Sequence, residues 1–285
     1  MKLLKLDEIL QPAVDGGYAV PAFNFWSFAG ITAAVDAAEA EKSPVIVQAI
    51  QPVVEYFSPD LVVAMFKRAL TGKDIPVALH LDHGTDPAFL FQCVKAGFSS
   101  VMFDASSLPY EKNVANTRDV VSLCHMIGMK VESEIGHVGS QGAGDVTNYT
   151  DPEVALHFAR ETGVDALALS VGTSHSMPQQ NAKIRFDIID QVASELSIPL
   201  VLHGSTGVAD KDYDRLDASH ISKINIGTAL GKAYLNRIYE IIENKDGVPF
   251  LPLINTMEGE SSKSVQAVAQ HKIRLLHSNG KASLY

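Results

Sequence analysis

Three observations predict an α/β fold of the (β/α)8, or TIM-barrel, kind with a helical C-terminal extension. Eight short apolar or β-branched runs alternate with segments of helical periodicity. The alternation occupies residues 18–228, close to the roughly 250 residues usual for that architecture. The competing arrangement, an open doubly wound sheet, would carry a glycine-rich phosphate loop after its first strand, and PAFNFWSF has none. Residues 1–285 are read as one domain.

Each element follows from its own pattern. MKLLKLDEILQPAV has acidic residues among its apolar positions and reads as an amphipathic helix, not a signal peptide. YAVPAFN (18–24) is the first strand and FAGITAAVDAAEAE the helix after it. PVIVQAI (44–50) leads into PDLVVAMFKRALTG, VALHLD (77–82) into DPAFLFQCVKAGF, and SVMFDA (100–105) into KNVANTRDVVSLCHMIG. KVESEIG (130–136) and ALALSVG (166–172) precede DPEVALHFARETG and FDIIDQVASELS. PLVLHG (199–204) and KINIGT (223–228) complete the set. The helical segments place apolar residues three and four apart, and several end in Gly. ALGKAYLNRIYEIIEN is expected as the last barrel helix and SSKSVQAVAQHKIRLL as the extension, with the polar NTMEGESSKS between them a loop.

Composition narrows the function classes. Hydrophobic residues at 46% and charged residues at 20%, without low-complexity tracts, describe a folded protein with an ample core. The 33 acidic against 23 basic residues give a formal charge of −10, so no broad positive field is available for nucleic acid or an anionic membrane. No apolar run is long enough to span a bilayer. Cys93 and Cys124 lack a paired spacing, which fits a reducing cytoplasm and argues against a thiolate-bound metal.

Barrel chemistry sits at the C-terminal ends of the strands, and polar residues gather there. Asn24, Asp82, Asp104, Glu134, His175, His203 and Asn225 all stand at or next to the end of a run. His83, His175 and His203 close three of them. Three neutral imidazoles would leave a fourth position on a zinc ion for water or a substrate oxygen. Asp82, beside the first, is a candidate acid or base. His80, two residues earlier, leaves the strand on the same face and is expected as a neighbour of the site, not a ligand. His125, His157, His220, His271 and His277 lie in helical or loop stretches and read as surface residues. A phosphate site is expected at GSTG and NIGT, after the seventh and eighth runs, where barrels offer backbone N–H groups and a helix N-terminus. Its candidates are Gly204, Ser205, Thr206, Asn225, Ile226, Gly227 and Thr228, with Asn24 and Ser176 completing the substrate site.

HLDHG, ESEIGHVG, GTSH, LVLHGSTG and KINIGT, in this order, resemble the class II, zinc-dependent fructose- and tagatose-bisphosphate aldolases. PAFN, PVIVQ, GFSSVMFDAS and HSNGKA extend the resemblance over nearly the whole chain. It implies zinc held by His83, His175 and His203, room for a monovalent cation, and proton transfer by Asp82. Asp104 and Glu134 would ligate the metal in an alternative position or orient its ligands from behind. It also implies a phosphorylated ketose as substrate, a homodimer or homotetramer, and a cytoplasmic location. The reaction would be reversible cleavage of a ketose 1-phosphate or 1,6-bisphosphate to dihydroxyacetone phosphate and an aldehyde.

Several positions depart from that family pattern. Ser176 and Ser205 stand where glycines are common, Ala229 replaces an acidic residue, and Ile50 replaces a small polar one. Gly142 and Ala143 occupy the place of a Glu-Asp pair whose glutamate removes the carbon-bound proton. Asp145 is the expected substitute, on a glycine-rich loop (136–150) expected to act as a mobile lid. These departures leave two further readings open: a weak or silent sugar-phosphate-binding relative, and a metal-dependent barrel hydrolase in which the metal activates water.

Overall fold

The computed structural model describes residues 2–139, 148–177, 179–245 and 247–285. A two-residue strand, β1 (Lys2–Leu3), and helix α1 (Leu6–Gly16) come first. The strands β2 (Val20–Asn24), β3 (Val45–Ile50), β4 (Pro76–Gly84), β5 (Ser100–Phe103), β6 (Val131–Ile135), β7 (Ala166–Leu169), β8 (Leu200–Leu202) and β9 (Ile221–Ile226) follow. Each runs parallel to the next, and β9 returns to β2 through Val20↔Lys223 and Ala22↔Asn225, so these eight strands close into a barrel. All eight sequence runs become barrel strands, within a few residues of their expected limits.

Parallel neighbours need crossovers, and helices supply them. α2 (Phe28–Glu41) follows β2, α3 (Gln51–Phe57) and α4 (Pro59–Ala69) follow β3, and α5 (Pro87–Ala96) follows β4. α6 (Tyr110–Met126), α7 (Pro152–Thr162), α8 (Phe186–Ala193), α9 (Tyr213–Ala218) and α10 (Thr228–Glu243) continue the ring. α11 (Phe250–Leu275) packs on α2 and α10. Three starts are fixed by side chains that accept orphan backbone N–H groups: Ser27 from Gly30, Asp86 from Ala88, and Asp151 from Glu153 and Val154. Pro87 and Pro152 stand at the first helical position, where a missing N–H costs nothing. No helix of the described residues is long and apolar enough to cross a membrane.

One expectation fails. NTMEGESSKS (255–264) is helical, inside the 26-residue α11. Two of its hydroxyls bond back into the helix, Thr256 Oγ1 to Pro252 O at 2.8 Å and Ser264 Oγ to Glu260 O at 3.1 Å. Ser261 is buried, and Glu260 bridges Arg237 of α10 and Lys263. Thr256, Glu260 and Ser264 therefore have partners, while the buried Ser261 Oγ has none among the described residues. At the other end, the N-terminal helix begins only at Leu6, after β1 has paired with β4.

The barrel interior is layered. At the bottom, Leu6, Ile9, Leu10 and Ala13 of α1 plug the mouth against Val20, Ala22, Ile46, Ala78, Ala166, Ala168 and Val201. Small alanines on the strands leave room for the larger side chains of the plug, each fully buried Leu or Ile contributing roughly 1.5–3 kcal/mol. The next layer is polar: Gln48, His80, Ser100, Glu132 and Lys223 are all sealed from solvent. Alternation along each strand then brings Asn24, Asp82, Glu134 and Asn225 to the upper rim.

Candidate active site

A cavity of about 510 Å³ opens at the C-terminal ends of the strands, and it gathers residues from all eight. Asn24, Asp82, His83, Asp104, Glu134 and His175 line it. So do Ser176, Gly204, Ser205, Thr206, Asn225, Gly227 and Thr228. His203 is fully buried beside these groups. Ile226 does not join them. Strand alternation turns Asn225 inward and sends the Ile226 side chain into the core around the barrel. His80 lies one layer below Asp82, its Nδ1 at 2.6 Å from Ser100 Oγ. Gly142, Ala143 and Asp145 lie outside the described residues.

Local backbone geometry aims the histidines. Alternation alone would point Asp82 inward and His83 outward. Register shifts between Leu81 and Gly84, and His83 takes φ 48°, a left-handed conformation costing on the order of 1 kcal/mol for a side-chain-bearing residue. This bulge brings both side chains to the same mouth. On the far wall, Gly204 has φ 68°, and a Cβ there would meet the Ser174 backbone at 2.7 Å. Only glycine lets the loops after β7 and β8 approach this closely. The backbone N–H of His175 donates to Gly139 O at 2.9 Å, tying the loop after β7 to that after β6.

The three rings form a compact cluster. Centroids lie 5.3 Å apart for His83 and His175, 4.7 Å for His83 and His203, and 6.0 Å for His175 and His203. Each ring offers a nitrogen within 4.8 Å of the others. Asp104 Oδ2 holds His83 Nδ1 at 2.6 Å, which leaves His83 Nε2 facing His203 Nδ1 at 3.0 Å. His203 Nε2 in turn meets Glu132 Oε1 at 3.0 Å. Two nitrogens about 2.0–2.1 Å from one tetrahedral zinc ion lie roughly 3.3–3.4 Å apart, so the His83–His203 pair is nearly at that spacing. Glu134 adds a second observation. Its Oε1 accepts the Val138 N–H at 2.9 Å, but its buried Oε2 has no hydrogen-bond partner, and His83, Asp104 and Glu134 form an overlapping donor set. Nitrogen and carboxylate donors converging in this way fit a divalent cation.

The electrostatics point the same way. Burial opposes charge on His83, yet Asp82 and Asp104 outweigh it and raise its pKa to about 10. Burial and the neighbouring charge of His83 lower His175 to about 4 and push His203 well below the ordinary imidazole range. The carboxylates thus favour one cation among the three rings. Burial and Asp104 raise Glu134 to about 8. Asp82 behaves differently: burial raises its pKa, but His83, His203 and Lys223 win and hold it below the usual carboxylate value. Both its oxygens are fixed, Oδ2 by Asn24 Nδ2 at 2.7 Å and Oδ1 by Asn225 Nδ2 at 3.1 Å. Gln48 Nε2, donating to Asn24 Oδ1 at 3.0 Å, sets which end of Asn24 faces the carboxylate.

Opposite β4, Gly204–Thr206 follows β8, and Gly227 precedes α10. The Ser205 hydroxyl donates to Asn225 O at 2.5 Å, joining the two segments and leaving its lone pairs as its remaining polar capacity. Reading the sequence missed His137, which lines the cavity and has its Nδ1 at 3.3 Å from Ser106 Oγ. Its place two residues past the end of β6, in ESEIGHVG, was the available signal.

The sequence matches the family described as fructose-bisphosphate aldolase class II over residues 4–281. It is 35% identical to the fructose-bisphosphate aldolase of Geobacillus stearothermophilus, covering 99% of this chain and 100% of that one. It is 34% identical to the 6-phospho-5-dehydro-2-deoxy-D-gluconate aldolase of Bacillus licheniformis, covering 99% and 97%. The crystal structure of the YdjI aldolase from Escherichia coli K12 superposes with a TM-score of 0.85 at 33% identity, covering 98% of this chain and 99% of that one.

Proposed function

Because the chain belongs to the class II fructose-bisphosphate aldolase family, we propose that it reversibly cleaves a phosphorylated ketose to dihydroxyacetone phosphate and an aldehyde, with zinc as its metal. The observation that carries this reading is the convergence of His83, His175 and His203 beside an ionised, doubly anchored Asp82. The three histidines would hold the ion, His83 with its ring set by Asp104 and His203 with its ring set by Glu132. When bound, the metal supplies Lewis acidity at a ketone oxygen and so eases loss of the neighbouring carbon-bound proton.

The remaining chemistry belongs to side chains. In condensation Asp82 gives a proton to the aldehyde oxygen as the carbon-carbon bond forms, and in cleavage it takes that proton back. Asn24 and Asn225 hold its oxygens in place for the transfer. Asp145 is proposed to remove the carbon-bound proton. Gly204, Ser205, Thr206, Gly227 and Thr228, with Ser176, would hold the phosphate through backbone N–H groups and the start of α10. Glu134 is the proposed alternative ligand, since its Oε2 is buried and aimed at the same cluster.

Proton exchange tests the reading. Dihydroxyacetone phosphate labelled at the reacting carbon should lose its label to solvent without any aldehyde, stop doing so after chelation, and resume with zinc. A metal-loaded protein that never exchanges the label would overturn the assignment. Asp145→Ala should slow the exchange by roughly 100-fold, the scale of a lost general base.

A further inference from the structure

We infer that the aldehyde half of the substrate is uncharged, so that the preferred ketose carries a phosphate at one end only. The inference rests on the aldolase reading and deepens it. The proposed phosphate segments follow β8 and β9; β4, which carries Asp82, stands opposite β8 in the barrel, and the residues after β4 and its neighbour β3 form the cavity wall on that side. A ketose anchored by phosphate on one side and passing Asp82 must place its other end against that wall.

The wall is built for a neutral group. Ile50 and Pro52 line it together with Gln51 and Thr85, and Trp26 stands at its edge. Both ends of the Gln51 amide are already engaged. Oε1 accepts the Thr85 and Asp86 N–H groups at 2.8 and 3.2 Å, and Nε2 donates to Glu55 at 2.7 Å. Pro52, in the first turn of α3, has no N–H to offer an anion. Among the described residues no lysine or arginine lines the cavity. The segment 140–147, SQGAGDVT, contains none either. Lys232 lies on α10, on the phosphate side, with Nζ donating to Met177 O at 3.3 Å.

Charge decides the matter. A second phosphate would bring roughly −1.5 to −2 charge at neutral pH into a cavity already holding Asp82, Asp104 and Glu134. Phosphate recognition ordinarily relies on Arg or Lys to offset such charge. The first phosphate has two loops and a long helix start in their stead; the distal wall has an apolar side chain and a proline.

Glyceraldehyde and glyceraldehyde 3-phosphate separate the outcomes, since they share one carbon skeleton. With the zinc-loaded protein and saturating dihydroxyacetone phosphate, kcat/KM for condensation should favour glyceraldehyde by about tenfold or more, a difference of about 1.4 kcal/mol. Preference for the phosphorylated aldehyde would overturn the inference while leaving the aldolase reading intact. Loss of label exchange in the same preparation would overturn both. Ile50→Lys should move the ratio at least about tenfold toward glyceraldehyde 3-phosphate. A folded variant with an unchanged ratio would mean that this wall does not meet the aldehyde.

Discussion

Lys223 and Glu132 form an ion pair inside the barrel, with Nζ 2.8 Å from Oε2 and 3.0 Å from Oε1 and both side chains sealed from solvent. The pair continues upward, because Glu132 Oε1 also meets His203 Nε2 at 3.0 Å. A lysine in the core thus stands behind a carboxylate that sets the ring of a site histidine.

Removing one partner strands a buried charge. Lys223→Met should destabilise the protein by about 3–5 kcal/mol, and adding Glu132→Gln should recover a large part of the loss. Urea unfolding of metal-free protein measures both. A single variant as stable as the wild type would mean the pair is replaceable by packing alone.

Asp82→Asn should retain zinc and lose turnover by roughly 100-fold or more. Asn24 would still donate to the remaining oxygen, and the new amide N–H would be met if the Asn225 amide turns its unpartnered Oδ1 toward it, so the change removes proton transfer with little loss of position. Metal analysis alongside kcat decides it: normal turnover would leave Asp82 a positioning role.

His203→Ala should lose most of the bound zinc, since three protein ligands are the usual complement of a catalytic site. Asp104→Asn should do less, weakening zinc binding by roughly 10–100-fold through a poorly oriented His83. Chelator competition distinguishes the two. Equal losses would make Asp104 a ligand in its own right.

The two cysteines provide a pH test away from the site. Burial pushes the Cys93 thiol up to about 12 and the Cys124 thiol up to about 11. A raised thiol pKa favours the folded state while the thiol is protonated in both states. That contribution is complete below the unfolded value of about 8.5 and is lost as pH rises through 9 toward 11–12. Urea-unfolding midpoints should fall across that window. At pH 8 the native protein should react with a disulfide reagent at under about 1% of the rate of the unfolded chain. Prompt titration of either thiol in the native state would contradict its burial.

The strands were legible because a barrel strand is buried on both faces, so PVIVQAI and ALALSVG leave unbroken apolar signatures. His83, His175 and His203 were legible from their shared place at run ends. What sequence did not reveal depended on partners far along the chain. Lys223 and Glu132 are 91 residues apart, and no local spacing marks them as neighbours. The helix through Asn255–Ser264 was hidden because Thr256, Glu260 and Ser264 find their partners on α10 and within α11 itself. Ile226 was placed in the site by its motif, whereas strand alternation assigns its side chain to the core.

The α1 plug makes the barrel a well with one opening. Leu6, Ile9 and Leu10 close the lower end against small strand residues, so solvent has no route upward through the floor. Isotope appearing in a bound substrate would therefore have to enter at the rim, past the groups proposed to hold the ketose. Both fragments of a cleavage would leave by that rim as well. The fragment lodged against Ile50 and Pro52 and the one held between β8 and β9 would share a single exit, so crowding at the mouth by one product should slow departure of the other.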